Sequence, residues 1–256
     1  MFGRRYLMLV LLAVCSSYAL AAEEPAASPY RPTVSNPAAL SEPGWLELEL
    51  GLQRVHGGDN KRRDGLPFLV KYAFDADWGI LLGGDLHART TAYDQSVTSG
   101  YGDTSLTLKH HHALSEDLAL GVEAGFKSPT AKNGLGSGKT DYTVTGILSA
   151  DLGKAQLDLN LGVTRLGLID ANQGRNTYSW AASLSRPLTE QWTAATEVSG
   201  VIQRGTRSSG QFLAALGYAW NKRVVFDGGF ALGMGSTAAD WSLFAGVTIL
   251  LEKVSN

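Results

Sequence analysis

From Gly44 onward, hydrophobic and polar residues alternate with a period of two. Between Trp45 and Gln53, the leucines 46, 48, 50 and 52 alternate with Glu47, Glu49, Gly51 and Gln53. This is the pattern of a strand with one apolar and one polar face. It recurs about twelve times along the chain, always over a strand-like length. Clear apolar faces are Leu66–Phe68–Val70–Tyr72–Phe74, Leu118–Leu120–Val122–Ala124–Phe126, Leu157–Leu159–Leu161–Val163 and Trp241–Leu243–Val247–Ile249. Glycine is scattered through these segments, where it permits tight curvature.

The connections alternate between short and long. Asp75–Asp77, Ala113–Glu116, Asp151–Lys154, Arg186–Glu190 and Asn221–Arg223 are short. Between them lie the longer Val55–Asp64, Arg89–Gly100, Ser128–Gly138, Leu166–Asn176, Gly205–Ser209 and Met234–Ala239. Short turns at one end and longer loops at the other predict an all-β, antiparallel, up-and-down transmembrane β-barrel of about twelve strands. Phe74, Trp78, Trp192 and Trp220 fall beside short turns, and Phe126, Tyr142, Tyr178 and Trp241 beside long loops. Rings at both strand ends suit two membrane–water interfaces.

The opposite parity then lines a lumen. It collects Glu47, Glu49, Gln53, Lys71, Asp85, His87, Arg89, Asp103, Lys109, Glu123, Lys127, Asp141, Asp158, Asn160, Glu197 and Asp227. So many charges would be costly in a dry core but not in a wet channel. Glu47, Lys71, Asp85, His87, Lys109, Glu123, Lys127 and Glu197 are the expected permeation residues. Twelve strands enclose more space than eight and less than a general porin.

The first 22 residues have a different character. Arg4 and Arg5 precede an apolar stretch, Tyr6–Val14, and Ala19-Leu20-Ala21 supplies the small residues of a cleavage site. This predicts a cleaved export signal. Leu12-Ala13-Val14-Cys15 has the outline of a lipoprotein box, but Val14 stands where Gly, Ala or Ser is usual. Cys15 is the chain's single cysteine, so cleavage leaves no thiol and no disulfide. After the signal there is no apolar run of about 18 residues, hence no transmembrane helix. Residues 22–43 hold five of the eight prolines, which predicts an extended periplasmic arm, with the lumen as the alternative place for part of it. The expected organisation is signal 1–22, Pro-rich periplasmic arm 23–43 and barrel 44–256. With 22 basic and 24 acidic residues the net charge is −2, which argues against a nucleic-acid partner.

Few motifs carry chemistry. His110-His111-His112 places His110 and His112 on one strand face, without an acidic or histidine partner at metal-ligand spacing, so no metal site is assigned. A lipid hydrolase would need Ser and His in contact on the outer face, and no such pair stands out. Gly134–Thr140 looks like a phosphate-binding loop but lacks its glycine spacing and leads into a strand. Neither a catalytic residue nor a cofactor is assigned, and the chain is read as a non-enzyme.

Several segments resemble a known family. They are Tyr30-Arg31-Pro32 through Asn36-Pro37-Ala38 to Gly44–Glu49, then Gly102-Asp103-Thr104-Ser105-Leu106-Thr107-Leu108-Lys109, and Lys127-Ser128-Pro129-Thr130 with Gly136-Ser137-Gly138 and Asp141-Tyr142. Asn160-Leu161-Gly162 and Phe244–Thr248 follow. Together they resemble the "MetA-pathway of phenol degradation" family of outer-membrane proteins. The resemblance implies a barrel of about a dozen strands in the Gram-negative outer membrane that passes small hydrophobic or aromatic compounds. Phe244-x-Gly246-x-x-Ile249-x-Leu251 resembles the signal read by the barrel assembly machinery, although the chain runs on to Asn256. The expected partners are therefore that machinery, outer-membrane lipids and a small solute. The alternatives are a closed structural or adhesion barrel, a soluble secreted β-sandwich and, further off, a lipid hydrolase.

Overall fold

The structure, a computed structural model, describes residues 24–254; the expected export signal lies outside them. The chain forms thirteen strands: β1 (Trp45–Gly57), β2 (Arg62–Ala73), β3 (Trp78–Thr91), β4 (Val97–Gly100), β5 (Thr104–Ala113), β6 (Leu118–Ser128) and β7 (Asp141–Asp151). They continue with β8 (Gln156–Arg165), β9 (Asn176–Pro187), β10 (Trp192–Gln203), β11 (Ser209–Asn221), β12 (Val224–Met234) and β13 (Ala239–Lys253). Each full-length strand pairs antiparallel with its sequence neighbour, and β1 pairs with β13, so twelve strands close into a barrel. The short β4 is the thirteenth: it folds back on the end of β3 through Ala88↔Gly100 to Thr91↔Val97. No helix among the described residues is long and apolar enough to cross a membrane.

The short turns are closed by their own side chains. Asp75 accepts bonds from the Asp77 and Trp78 amides at 2.9 and 2.8 Å, and Asn221 from the Arg223 amide at 2.8 Å. Asp151 does the same for Gly153, which sits at φ +81°, and Thr189 for Gln191 and Trp192. Such Asx and ST turns reverse a strand within four residues. The opposite end carries the longer loops, except between β12 and β13, where four residues suffice, and between β1 and β2. There the strands run on to Gly57 and from Arg62, through a segment whose apolar face has given way to charge.

The packing is inverted relative to a soluble protein. The largest fully buried side chains are Lys71, Lys109, Leu250, Glu47, Glu49 and Glu197, while Leu52, Leu161, Leu243 and many other leucines, valines and aromatics lie exposed on the outer wall. Charge inside and hydrocarbon outside is the arrangement of a barrel solvated by lipid. The outer apolar band excludes the soluble β-sandwich. One small apolar patch faces inward, where Leu213, Ala215 and Ala231 pack with Phe244.

A bulge changes one stretch of the expected parity. On β3, Pro67 pairs with Asp85 but Leu66 pairs with His87, so the strand gains a residue at Leu86. Beyond the bulge the faces exchange. Ala88 is turned inward and fully buried, while His87 and Arg89 are exposed on the outer wall opposite Leu66 and Asp64. His87 and Arg89 therefore do not line the lumen as simple alternation requires.

Candidate functional site

The proline-rich segment does not remain outside the barrel: it enters the lumen and leaves it at the short-turn end. Ala27 donates to the Lys222 carbonyl in the β11–β12 turn at 2.8 Å, and Gly44 donates to Ala73 as the chain returns to β1. Between these points the arm rises to the middle of the wall. There Val34 and Ser35 donate to Glu197, and Asn36 meets Glu123 and Asn160, all three being mid-strand residues of β10, β6 and β8.

This location follows from the arm's own chemistry. An extended, proline-rich segment makes no ladder of its own, so its amides and carbonyls need partners elsewhere. The wall supplies carboxylates for the amides. Glu47 accepts from Ser28 at 3.0 Å, Glu49 from Tyr30 and Arg31 at 2.8 and 3.2 Å, and Glu197 Oε2 from Val34 N, Ser35 N and Ser35 Oγ at 2.8–2.9 Å. It supplies ammonium groups for the carbonyls: Lys71 Nζ donates to Ser28 O at 2.5 Å and Lys109 Nζ to Pro37 O at 2.6 Å. The Arg31 guanidinium reaches the far wall, donating twice to Asp227 at 3.2 Å. It lies against Gly51 and Gly246, where a Cβ would collide with it.

Tyr30 is the centre of this arrangement. Its ring lies between Lys71 Nζ at 3.9 Å and Lys109 Nζ at 4.1 Å, and its hydroxyl donates to Ala39 O at 2.7 Å. Lys71 also pairs with Glu47 at 2.5 Å and Glu49 at 2.6 Å, and Lys109 with Glu123 at 3.1 Å. Burial, and the carboxylates of Glu123, Glu47 and Glu49, hold the phenol well above its ordinary range, so it stays neutral at physiological pH.

The arm separates two chambers. One, of about 410 Å³, extends from Val34, Asn36 and Glu123 towards the long-loop end at Ser209, Thr237 and Trp241. The other, of about 370 Å³, extends from Arg31, Thr33 and Pro37 towards the short turns at Gln156, Glu190 and Gln191.

Of the eight residues singled out from sequence, Glu47, Lys71, Lys109, Glu123 and Glu197 all grip the arm. Asp85 and Lys127 lie further out: Asp85 pairs with Arg63, and Lys127 with Asp103 at 2.9 Å and Asp141 at 3.0 Å. His87 is outside, for the reason given. The arm residues Tyr30, Arg31, Ser35 and Asn36 were not singled out as site residues. Their signal in the sequence was the excess of acidic residues on the lumen face, which left amide donors to be found. His111 faces inward and donates to Ala38 O at 3.2 Å, whereas His110 stacks on Trp78 at 4.4 Å on the outer wall.

The fold and lumen define a β-barrel of the outer-membrane type. The family model described as "Putative MetA-pathway of phenol degradation" matches residues 76–251, and the chain belongs to that family. No curated protein matches it. Among solved structures, an outer membrane channel from Pseudomonas putida F1 is similar with a TM-score of 0.67 and 12% identity, over 84% of this chain and 98% of the other. The KdgM porin is similar with a TM-score of 0.55 and 13% identity, over 80% and 99%. The CymD monoaromatic hydrocarbon channel is similar with a TM-score of 0.53 and 6% identity, over 84% and 90%.

Proposed function

We propose that the protein is a passive channel of the Gram-negative outer membrane, exported by its N-terminal signal, which passes small hydrophobic or aromatic solutes and does no catalysis. The observation that carries the reading is the pair of chambers extending towards opposite ends of the barrel and separated by a short segment of chain. Each is of a size to hold one small molecule. The solute class draws on the family's description and on one neighbour's description as a monoaromatic hydrocarbon channel. The inward patch of Leu213, Ala215, Ala231 and Phe244 offers an apolar surface to such a molecule.

The test is flux into liposomes, using solutes that lipid alone excludes: benzyltrimethylammonium, benzenesulfonate and glucose. Both aromatic ions are expected to enter faster than glucose. The cation is expected to lead, because Glu47, Glu49, Glu123, Asp158, Glu197 and Asp227 outnumber Lys71, Lys109 and Arg31 around the arm. Equal rates for glucose and both aromatics would remove the solute class while leaving a channel. No flux above empty liposomes would favour a closed structural barrel, which the dense bonding of the arm makes the second reading. Glu123→Ala combined with Lys127→Ala is expected to raise flux several-fold by loosening Asn36 and widening the outer vestibule, each lost charged hydrogen bond being worth about 1.5–3 kcal/mol. Unchanged flux would mean that neither residue shapes the passage.

A further inference from the structure

The outer wall carries a cluster of charge at one place on a rim that elsewhere is mostly apolar. With the short turns in the periplasm, the long-loop rim meets the outer leaflet. On most strands that rim presents Phe126, Tyr142, Tyr178, Ile202, Phe212 and Leu232; among the described residues Arg165 is the one arginine there, opposite Tyr142. On β1–β3 the register instead sets side by side His56 and Arg62, then Arg54, Asp64 and Arg89, then Leu52, Leu66 and His87. Arg89 and His87 join this face because of the β3 bulge. Trp241, stacked on His56 with centroids 5.3 Å apart and planes 4° apart, places the topmost row at the aromatic girdle.

Two of the three guanidinium groups here share one carboxylate, and the third has none. Arg54 Nε and Arg62 Nε approach Asp64 at 2.6 and 2.9 Å. The Arg89 side chain makes no hydrogen bond or ion pair among the described residues. His56 faces Asp240 at 3.1 Å, which leaves the group with a surplus of positive charge. Directly below lie Leu52 and Leu66, with Leu86 pushed out by the bulge, and Leu243 stands beside Arg54 in the register, so apolar surface of more than one chain's width borders the guanidinium groups. Guanidinium groups at the water interface above exposed hydrocarbon match a molecule with phosphate at its head and acyl chains beneath.

We propose that Arg54, Arg62 and Arg89 form a binding site for the phosphate of a phosphorylated lipid of the outer leaflet, whose chains lie along Leu52, Leu66 and Leu86. The proposal rests on the membrane reading of the wall and not on transport, so it stands or falls separately from the channel. The probe is bisphosphorylated lipid A, added to the detergent-folded protein and followed by native mass spectrometry, with the same lipid stripped of phosphate and with inorganic phosphate as comparisons. The wild type is expected to retain lipid A in preference to the stripped lipid. Arg54→Gln/Arg62→Gln/Arg89→Gln is expected to weaken retention about a hundredfold, the loss of two charge-assisted contacts. Arg89→Glu, which leaves both Asp64 pairs intact, keeps the test alive should the triple variant misfold, and is expected to lose at least about tenfold. Arg165→Gln is expected to change nothing. Equal retention of stripped and phosphorylated lipid, or equal retention by wild type and variants, would overturn the site. Inorganic phosphate binding as tightly as lipid A would overturn the lipid assignment.

Discussion

Replacing Tyr30 by alanine is expected to release the arm and to raise single-channel conductance towards that of a barrel lacking residues 24–43. The ring fills the space between two buried ammonium groups, each about 4 Å away, and its hydroxyl ties the ascending limb of the arm to Ala39 on the descending limb. Truncating a buried aromatic costs about 3–5 kcal/mol, and here the desolvated cation–π contacts go with it. That loss shifts the ratio of docked to undocked arm by on the order of a hundred- to a thousandfold. Tyr30→Phe keeps the ring between Lys71 and Lys109 and removes only one hydrogen bond, so it is expected to stay close to wild type. The measurement is planar-bilayer conductance of the four proteins side by side. If Tyr30→Ala conducts like wild type while the arm deletion conducts more, other contacts suffice to hold the arm and Tyr30 is not its anchor. If the deletion itself leaves conductance unchanged, the arm is not the barrier between the two chambers.

Strand alternation carried most of this architecture in the sequence. Period two is a local property: Leu46 to Leu52 against Glu47 to Gln53 reads the same whatever the strand later pairs with, and twelve such segments leave little choice of fold. Asp75, Asp151 and Asn221 marked their turns because their side chains close them locally. What escaped was non-local. The bulge at Leu86 costs one residue of register, and nothing in Gly-Gly-Asp-Leu-His-Ala-Arg announces it; yet it moves His87 and Arg89 to the other side of the wall. The strands beyond Val55 and before Asp64 read as loop because their outward residues, Arg54, His56, Arg62 and Asp64, sit at the rim and are polar. The arm's position was legible only as a possibility. Prolines declare that a segment is extended, but the partners that draw it inside, Glu49, Asp227 and Glu197, lie up to 196 residues away.

Lys71→Met is expected to be the most destabilising single change in the lumen wall. Lys71 is fully buried, as are its partners Glu47 and Glu49, and its ammonium group holds both carboxylates at 2.5–2.6 Å while donating to Ser28 O and lying over Tyr30. Methionine matches the aliphatic stem but leaves two neighbouring carboxylates without their cation, in a region the arm keeps closed. Removing one partner of a buried pair costs about 3–5 kcal/mol, because the charge left behind keeps its desolvation penalty without its compensation. The midpoint of urea unfolding in detergent is expected to fall accordingly, with the slope unchanged. The mechanism predicts a rescue: Lys71→Met/Glu47→Gln/Glu49→Gln replaces the whole charged group with neutral side chains of similar volume, and is expected to regain most of the loss. A triple variant no more stable than the single one would mean that the cost of Lys71→Met lies in the lost contacts to Ser28 and Tyr30. That outcome would shift the role of Lys71 from neutralising the wall to holding the arm.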